Sequence, residues 1–270
     1  GNFVAAQGKT LPELGTPRFN PLETKETKEK LLENLGNFRA AVIVGGDDTL
    51  RVAKYIHDQG YPVIGIPATI DNNLNVQCCL GYDSAVEKGT EIAQGAFQIA
   101  RAHRRHYFIE VLGRRQGWIA YAIAVNLGVA VILAEFPESK EKAFELIKKK
   151  DYSVTIVAEN FAKIGIGRDE IGNPLMRTAQ ISQRIANEFA EKTKLQTRAL
   201  QMGDSVRTHV SNVDQRLALI LAREIKEKVK RGETGFVLEI PEDFKVKEKE
   251  FSEVLQEKFV PLELIREHFS

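Results

Sequence analysis

Three short stretches set glycines beside carboxylates, hydroxyls or arginines at the ends of apolar runs. The first, Val42 to Leu50, reads Val-Ile-Val-Gly-Gly-Asp-Asp-Thr-Leu and places Gly45, Gly46, Asp47 and Asp48 where a buried strand turns into a helix. Glycine lets backbone approach a phosphate closely, a helix start supplies N–H donors, and a carboxylate can hold the Mg²⁺ that accompanies a polyphosphate. A tight strand-to-helix turn with Asp48 as N-cap would use the same residues. The second, Gly65 to Leu74, reads Gly-Ile-Pro-Ala-Thr-Ile-Asp-Asn-Asn-Leu and leaves Thr69 and Asp71 in a loop after a strand expected beside the first. A carboxylate there can accept the proton of an attacking hydroxyl; closing an Asx-turn is its plainer use. The third, Glu110 to Trp118, puts Gly113 and Arg114 after another strand, where a guanidinium fork suits phosphate or sugar oxygens. Just upstream, His103-Arg-Arg-His106 is either a solvated helix end favoured by the dipole or part of an anion-binding surface.

Positioning these groups takes alternating strands and helices. Apolar runs at Ala40 to Val44, Pro62 to Ile66, Tyr107 to Leu112, Val129 to Phe136, Ser153 to Ala158, Arg198 to Met202 and Phe236 to Ile240 read as strands. Helical periodicity covers Thr49 to His57, Tyr82 to Arg104 with Asp83 as N-cap, Trp118 to Asn126, Lys140 to Lys149, Ala179 to Lys192, Val213 to Lys230 and Ser252 to Phe259. Ala68 to Asn75 and Glu159 to Asn173 read as loops. The class is α/β, with mostly parallel sheets flanked by helices, and such sheets bind ligands at the C-terminal ends of their strands.

Composition narrows the partners. Lys+Arg is 38 against Asp+Glu 37, so no charge excess points to nucleic acid or a membrane surface. No apolar stretch is long enough for a membrane span, and the first residues lack a charged-then-apolar leader. Cys78 and Cys79 are adjacent, which closes no useful loop and suits a reducing cytoplasm. The absence of a Gly-x-Gly-x-x-Gly turn sets aside a dinucleotide-binding oxidoreductase.

Gly-Gly-Asp-Asp, Gly-Ile-Pro-x-Thr-Ile-Asp-Asn, Gly-Tyr-Asp-Ser-Ala, Glu-Val-Leu-Gly-Arg and Glu135 after an apolar strand occur in an order that resembles the 6-phosphofructokinase family. The resemblance covers ATP- and pyrophosphate-dependent members together, runs from Leu14 to about Glu159, and extends loosely over Thr197 to Glu224. It implies two Rossmann-like domains, a donor-side one at 1–105 and a fructose-6-phosphate-side one at 106–225, with 226–270 packing back on them. It further implies that Asp47 helps hold Mg²⁺, Asp71 takes the 1-hydroxyl proton, Thr69 touches the transferred phosphoryl and Arg18 steadies the donor beside Gly45, Gly46 and Asp48. Leu112, Gly113, Arg114 and Glu135 would line the sugar, and Arg207 would hold the 6-phosphate. Arg105 and Arg198 match arginines that reach into a neighbouring subunit's site, which implies a homodimer or homotetramer.

The departures carry information too. The family's first strand and glycine-rich donor turn do not occur from Gly1 onward, so the resemblance leads us to expect a segment upstream. Asn73 stands where aspartate is usual, Ala68 where lysine or glycine is usual, and Asp204 where a phosphate-binding histidine is common. Asp48 in place of glycine, with Val52 on the next turn, implies pyrophosphate ahead of ATP as donor. Two alternatives remain: a non-catalytic paralogue that binds a phosphosugar, and another Gly-Gly-Asp kinase of the NAD or diacylglycerol type.

Overall fold

A computed structural model describes residues 19–161, 180–241 and 244–269. Within them the chain forms α1 (Lys25–Leu35), β1 (Ala41–Gly45), α2 (Asp47–Asp58), β2 (Val63–Pro67), α3 (Tyr82–His103), β3 (His106–Val111), α4 (Trp118–Leu127), β4 (Ala130–Ile132) and α5 (Ser139–Ile147). There follow β5 (Ser153–Ala158), α6 (Ile181–Thr193), β6 (Thr197–Gln201), α7 (Asn212–Arg231), β7 (Phe236–Glu239), β8 (Lys247–Lys249), α8 (Phe251–Val254) and α9 (Leu262–His268).

Two four-stranded sheets result, ordered β1-β2-β7-β8 and β4-β5-β3-β6. All pairings are parallel except β7 with β8. β2 and β5 are buried along their whole length because both faces of each sheet are covered, which is why their sequences are unbroken apolar or small-residue runs. In the second sheet Phe108, Phe144 and Phe189 interlock on one face, with Phe144 and Phe189 edge to face at 5.0 Å. Each such aromatic contact adds about 0.5–1.5 kcal/mol beyond its buried area. On the opposite face α3 turns a line of small side chains, Ala85, Ala93, Ala96 and Ala100, toward α4 and the sheet.

The sheets are joined by the Gly-Tyr-Asp-Ser-Ala segment at the start of α3. Gly81, at φ 94°, turns the chain into the helix. Tyr82 donates its hydroxyl to the Trp118 carbonyl at 3.2 Å, pinning α3 to the start of α4. Asp214 on α7 accepts the Ser84 N–H at 2.9 Å and the Ser84 hydroxyl, while Ser211 caps α7 through the Asp214 N–H. Breaking that buried carboxylate contact would leave an unpaired charge behind, an expensive defect.

Several expectations are corrected. Gly46 caps α2, and Asp47 and Asp48 lie in the first helical turn, so Asp48 is not the N-cap and the helix starts before Thr49. Likewise Gly81, not Asp83, caps α3. The strand expected over Val129 to Phe136 pairs only over Ala130–Ile132, because Leu133 and Phe136 bridge each other and turn the chain into α5. Phe236–Glu239 is not the final strand: charged Lys247–Lys249 adds an antiparallel edge. The helix expected over Ser252 to Phe259 ends at Val254, and the chain then turns and bridges Leu74 through Glu257 before reaching α9.

Candidate active site

The C-terminal ends of β1 and β2 are side by side. The Ala68 N–H donates to the Gly45 carbonyl at 2.9 Å, and a methyl placed on Gly46 would stand 3.4 Å from Thr69 Cβ. Gly45 has no room for a side chain, since an added Cβ would fall 2.6 Å from Thr49. The Thr69 hydroxyl accepts the Asp71 N–H at 3.2 Å, tightening the loop that presents the carboxylate. Asn72, at φ 49°, accepts the Cys79 N–H through its side chain, so the Asp-Asn-Asn run is a braced turn.

From the other sheet, β3 leads into the Gly113–Gly117 turn. Gly113 adopts φ 152°, and an added Cβ would fall 2.6 Å from the Gln116 carbonyl, so the turn closes only around glycine. Its N–H donates to Glu159 at 2.8 Å, and the Gly117 N–H donates to Glu135 at 2.6 Å. Asn160 reaches the Arg115 carbonyl at 2.8 Å and Glu135 at 3.4 Å. Glu135 and Asn160 thus hold the loop from behind, while Leu112 is half-buried and Arg114 exposed on it.

The two loop systems face each other electrostatically. Burial pushes the Asp71 carboxyl above its ordinary value, Arg207 and Arg114 pull it back, and Asp47 pushes it up again. Asp71, Arg207, Arg114 and Asp47 therefore share one electrostatic neighbourhood, although they come from four separate segments. Glu159 joins them: burial raises its carboxyl to about 7 against the Gly113 N–H, with Asp71 and Glu110 adding to the rise and Arg114 opposing it. It follows an apolar strand just as Glu135 does, and that is the one signal by which sequence alone could have singled it out.

The remaining expected residues sort by position. Arg207 ends a 3₁₀ turn after β6 and pairs with Asp204 at 3.4 Å, so that acid is engaged with the arginine. Arg105 and Arg198 lie at the N-terminal ends of β3 and β6, where Arg105 donates to Gln196 at 3.1 Å. A six-residue strand spans about 20 Å, so these two stand at the far end of the sheet from Arg114. Asp48 is exposed, and Val52 packs partly buried against the first domain's core. Arg18 lies outside the described residues. Cys78 and Cys79 are free thiols pushed up to about 12 by burial, hence inert.

Among the described residues no helix is long and apolar enough to cross a membrane, and no cluster of three or more His, Cys, Asp or Glu side chains forms a metal cage. The donors near Asp71 still fit Mg²⁺: Asp47 and Asp71 are close enough to repel, and the buried side-chain amide oxygen of Asn73, Oδ1, has no hydrogen-bond partner. Mg²⁺ characteristically takes one or two carboxylates, keeps waters and completes its shell with substrate phosphate.

Comparison with known proteins bears on the family and the fold. The phosphofructokinase family profile matches residues 4–228. A pyrophosphate–fructose 6-phosphate 1-phosphotransferase of Amycolatopsis methanolica is 33% identical over 223 residues, covering 76% of this chain and 63% of that protein. An ATP-dependent 6-phosphofructokinase of Streptomyces coelicolor is 31% identical over 250 residues, covering 86% of this chain and 72% of that one. Among solved structures, a pyrophosphate-dependent phosphofructokinase from Marinobacter aquaeolei superposes with a TM-score of 0.72 at 19% identity, over 96% of this chain and 74% of that one. Motif order, fold and relatives converge: the chain belongs to the phosphofructokinase family.

Proposed function

We propose that this chain moves a phosphoryl group from a polyphosphate to the 1-hydroxyl of fructose 6-phosphate, with pyrophosphate favoured over ATP. The reading rests above all on a half-buried, partly desolvated Asp71 set against Arg114, Arg207 and Asp47 where the strand ends of two sheets meet. Desolvation makes Asp71 a better proton acceptor than a surface carboxylate, and it lies in a loop braced from both sides. It takes the 1-hydroxyl proton as that oxygen bonds to the donor's terminal phosphorus and the bond to the leaving phosphate breaks. Arg114 offsets charge on the transferring group, and Thr69, between Gly46 and Asp71, marks where that group passes. Leu112 and Gly113 border the sugar, Glu159 offers a hydroxyl partner, and Arg207 exchanges Asp204 for the 6-phosphate.

On the donor side Gly45 and Gly46 admit phosphate to the N-terminus of α2, and Asp47 would hold Mg²⁺ with Asn73 near by. When bound, the ion neutralises donor phosphate oxygens and helps the leaving group depart. Asp48, exposed on the first turn, puts negative charge where a nucleotide's inner phosphate would have to lie. The relatives named above include users of either donor.

The test is fructose 1,6-bisphosphate formation with Mg²⁺ and each donor in turn, repeated with Asp48→Gly. We expect product from pyrophosphate and a shift toward ATP in the variant. Efficient use of ATP with pyrophosphate ignored overturns the donor assignment. Sugar-phosphate binding without product from any donor favours the non-catalytic alternative.

A further inference from the structure

We propose that Arg115 is a donor-side phosphate ligand, held ready by an ion pair with Glu257 that an incoming polyphosphate displaces. The inference rests on the phosphoryl-transfer reading and adds to it a residue that binds the donor and not the sugar.

Arg115 directly follows Arg114 in the β3 loop, yet the two side chains serve different neighbours. Arg114 bears on Asp71 and Glu159, whereas the charged state of Arg115 is favoured first by its hydrogen bond to Glu257, then by that carboxylate's charge, and beyond it by Asp47 and Asp48. It is therefore a cation from the second sheet bearing on the acidic start of α2, the place assigned to the donor. A polyanion lodged beside two carboxylates needs such a charge close by.

The partner that holds Arg115 is carried by a braced strap. Glu257 bridges Leu74 in antiparallel fashion, three residues past Asp71, and the Lys258 N–H donates to the Asn73 carbonyl at 3.1 Å. Trp118 donates its indole N–H to the Lys258 carbonyl at 2.8 Å, and the Lys258 ammonium reaches the Val76 and Gln77 carbonyls at 2.8 and 3.0 Å. The strap thus binds the Asp71 loop to the start of α4. The Arg115 backbone is equally fixed, by Asn160 at its carbonyl.

Against these fixed backbones the two side chains are free to move. The Arg115–Glu257 contact is 2.8 Å, but the side chains are 62% and 44% exposed. An ion pair so open to water holds weakly, and its arginine can be taken over by a ligand of higher charge. Glu257 orients the guanidinium in the free protein and yields it when phosphate arrives.

The experiment is a calorimetric titration of the whole chain with Mg²⁺ and imidodiphosphate, a pyrophosphate analogue with a non-transferable bridge, alongside fructose 6-phosphate. Arg115→Ala should weaken imidodiphosphate binding by about 10- to 100-fold, the usual loss for a charge-assisted contact, and leave sugar-phosphate affinity unchanged. Arg115→Lys should fall between, keeping the charge without the fork. Glu257→Gln should bind imidodiphosphate as well as the parent or better, because a competitor for the guanidinium is gone. If the pair served only to hold the strap, Glu257→Gln and Arg115→Ala would weaken binding alike, and that result overturns the proposal. So does unchanged binding in Arg115→Ala, or no binding to the parent chain. A parent that binds imidodiphosphate through Arg115 but forms no fructose 1,6-bisphosphate upholds the anion site and defeats the activity reading instead.

Discussion

Glu159 offers a test in which stability reports on the site. Its side chain sits against the Gly113 N–H with the residue only 7% exposed, and burial holds its carboxyl at about 7 against an ordinary 4.5. Each pH unit between folded and unfolded values corresponds to about 1.4 kcal/mol, so keeping this group ionised in the fold costs on the order of 3 kcal/mol. The folded state binds the proton more tightly than the unfolded chain. The contribution is therefore fully present below pH 4.5 and is lost as pH rises through about 7. Glu159→Gln is nearly isosteric, keeps an oxygen for the Gly113 N–H and carries no charge at any pH. Denaturant unfolding of the two proteins should give similar stabilities near pH 5, with the variant more stable at pH 8 by up to about 3 kcal/mol. A difference that does not change with pH, or a variant less stable than the parent at pH 8, would refute the reasoning.

Asp71→Asn should leave fructose 6-phosphate binding within a few-fold while lowering kcat by roughly 10² to 10⁴, the usual contribution of a positioned base; near-normal turnover removes Asp71 from that role. Arg105 and Arg198 stand at the opposite end of their sheet from Arg114, so any part they play in catalysis must be in a partner's site. Mixing Asp71→Asn chains with Arg198→Ala chains should then restore activity through hybrid sites. Subunit exchange without recovery, followed by native electrophoresis, would show that they act elsewhere.

What sequence determined by itself was the set of strand ends and their chemistry. Ser153–Ala158 was legible as a strand because a chain buried on both faces must be apolar or small throughout, and its ends show where polarity resumes. Gly45, Gly46 and Asp47, Thr69 and Asp71, and Gly113 and Arg114 follow such ends, so they were legible as site candidates before any contact was known. Edge and surface pieces were not. Charged Lys247–Lys249 is a strand only because β7 offers it an edge, and the helices Lys25–Leu35 and Leu262–His268 carry little apolar signal of their own. Which ends meet was likewise decided by the tertiary structure. Glu159 matters because the order β4-β5-β3-β6 sets the end of β5 beside the end of β3, within reach of the Gly113 N–H. Arg115 meets Glu257, 142 residues later, only because a strap returns past Leu74. Periodicity reports which face of an element is buried; it holds no record of which distant element covers it, and the charges of this site act on one another across exactly such long-range contacts.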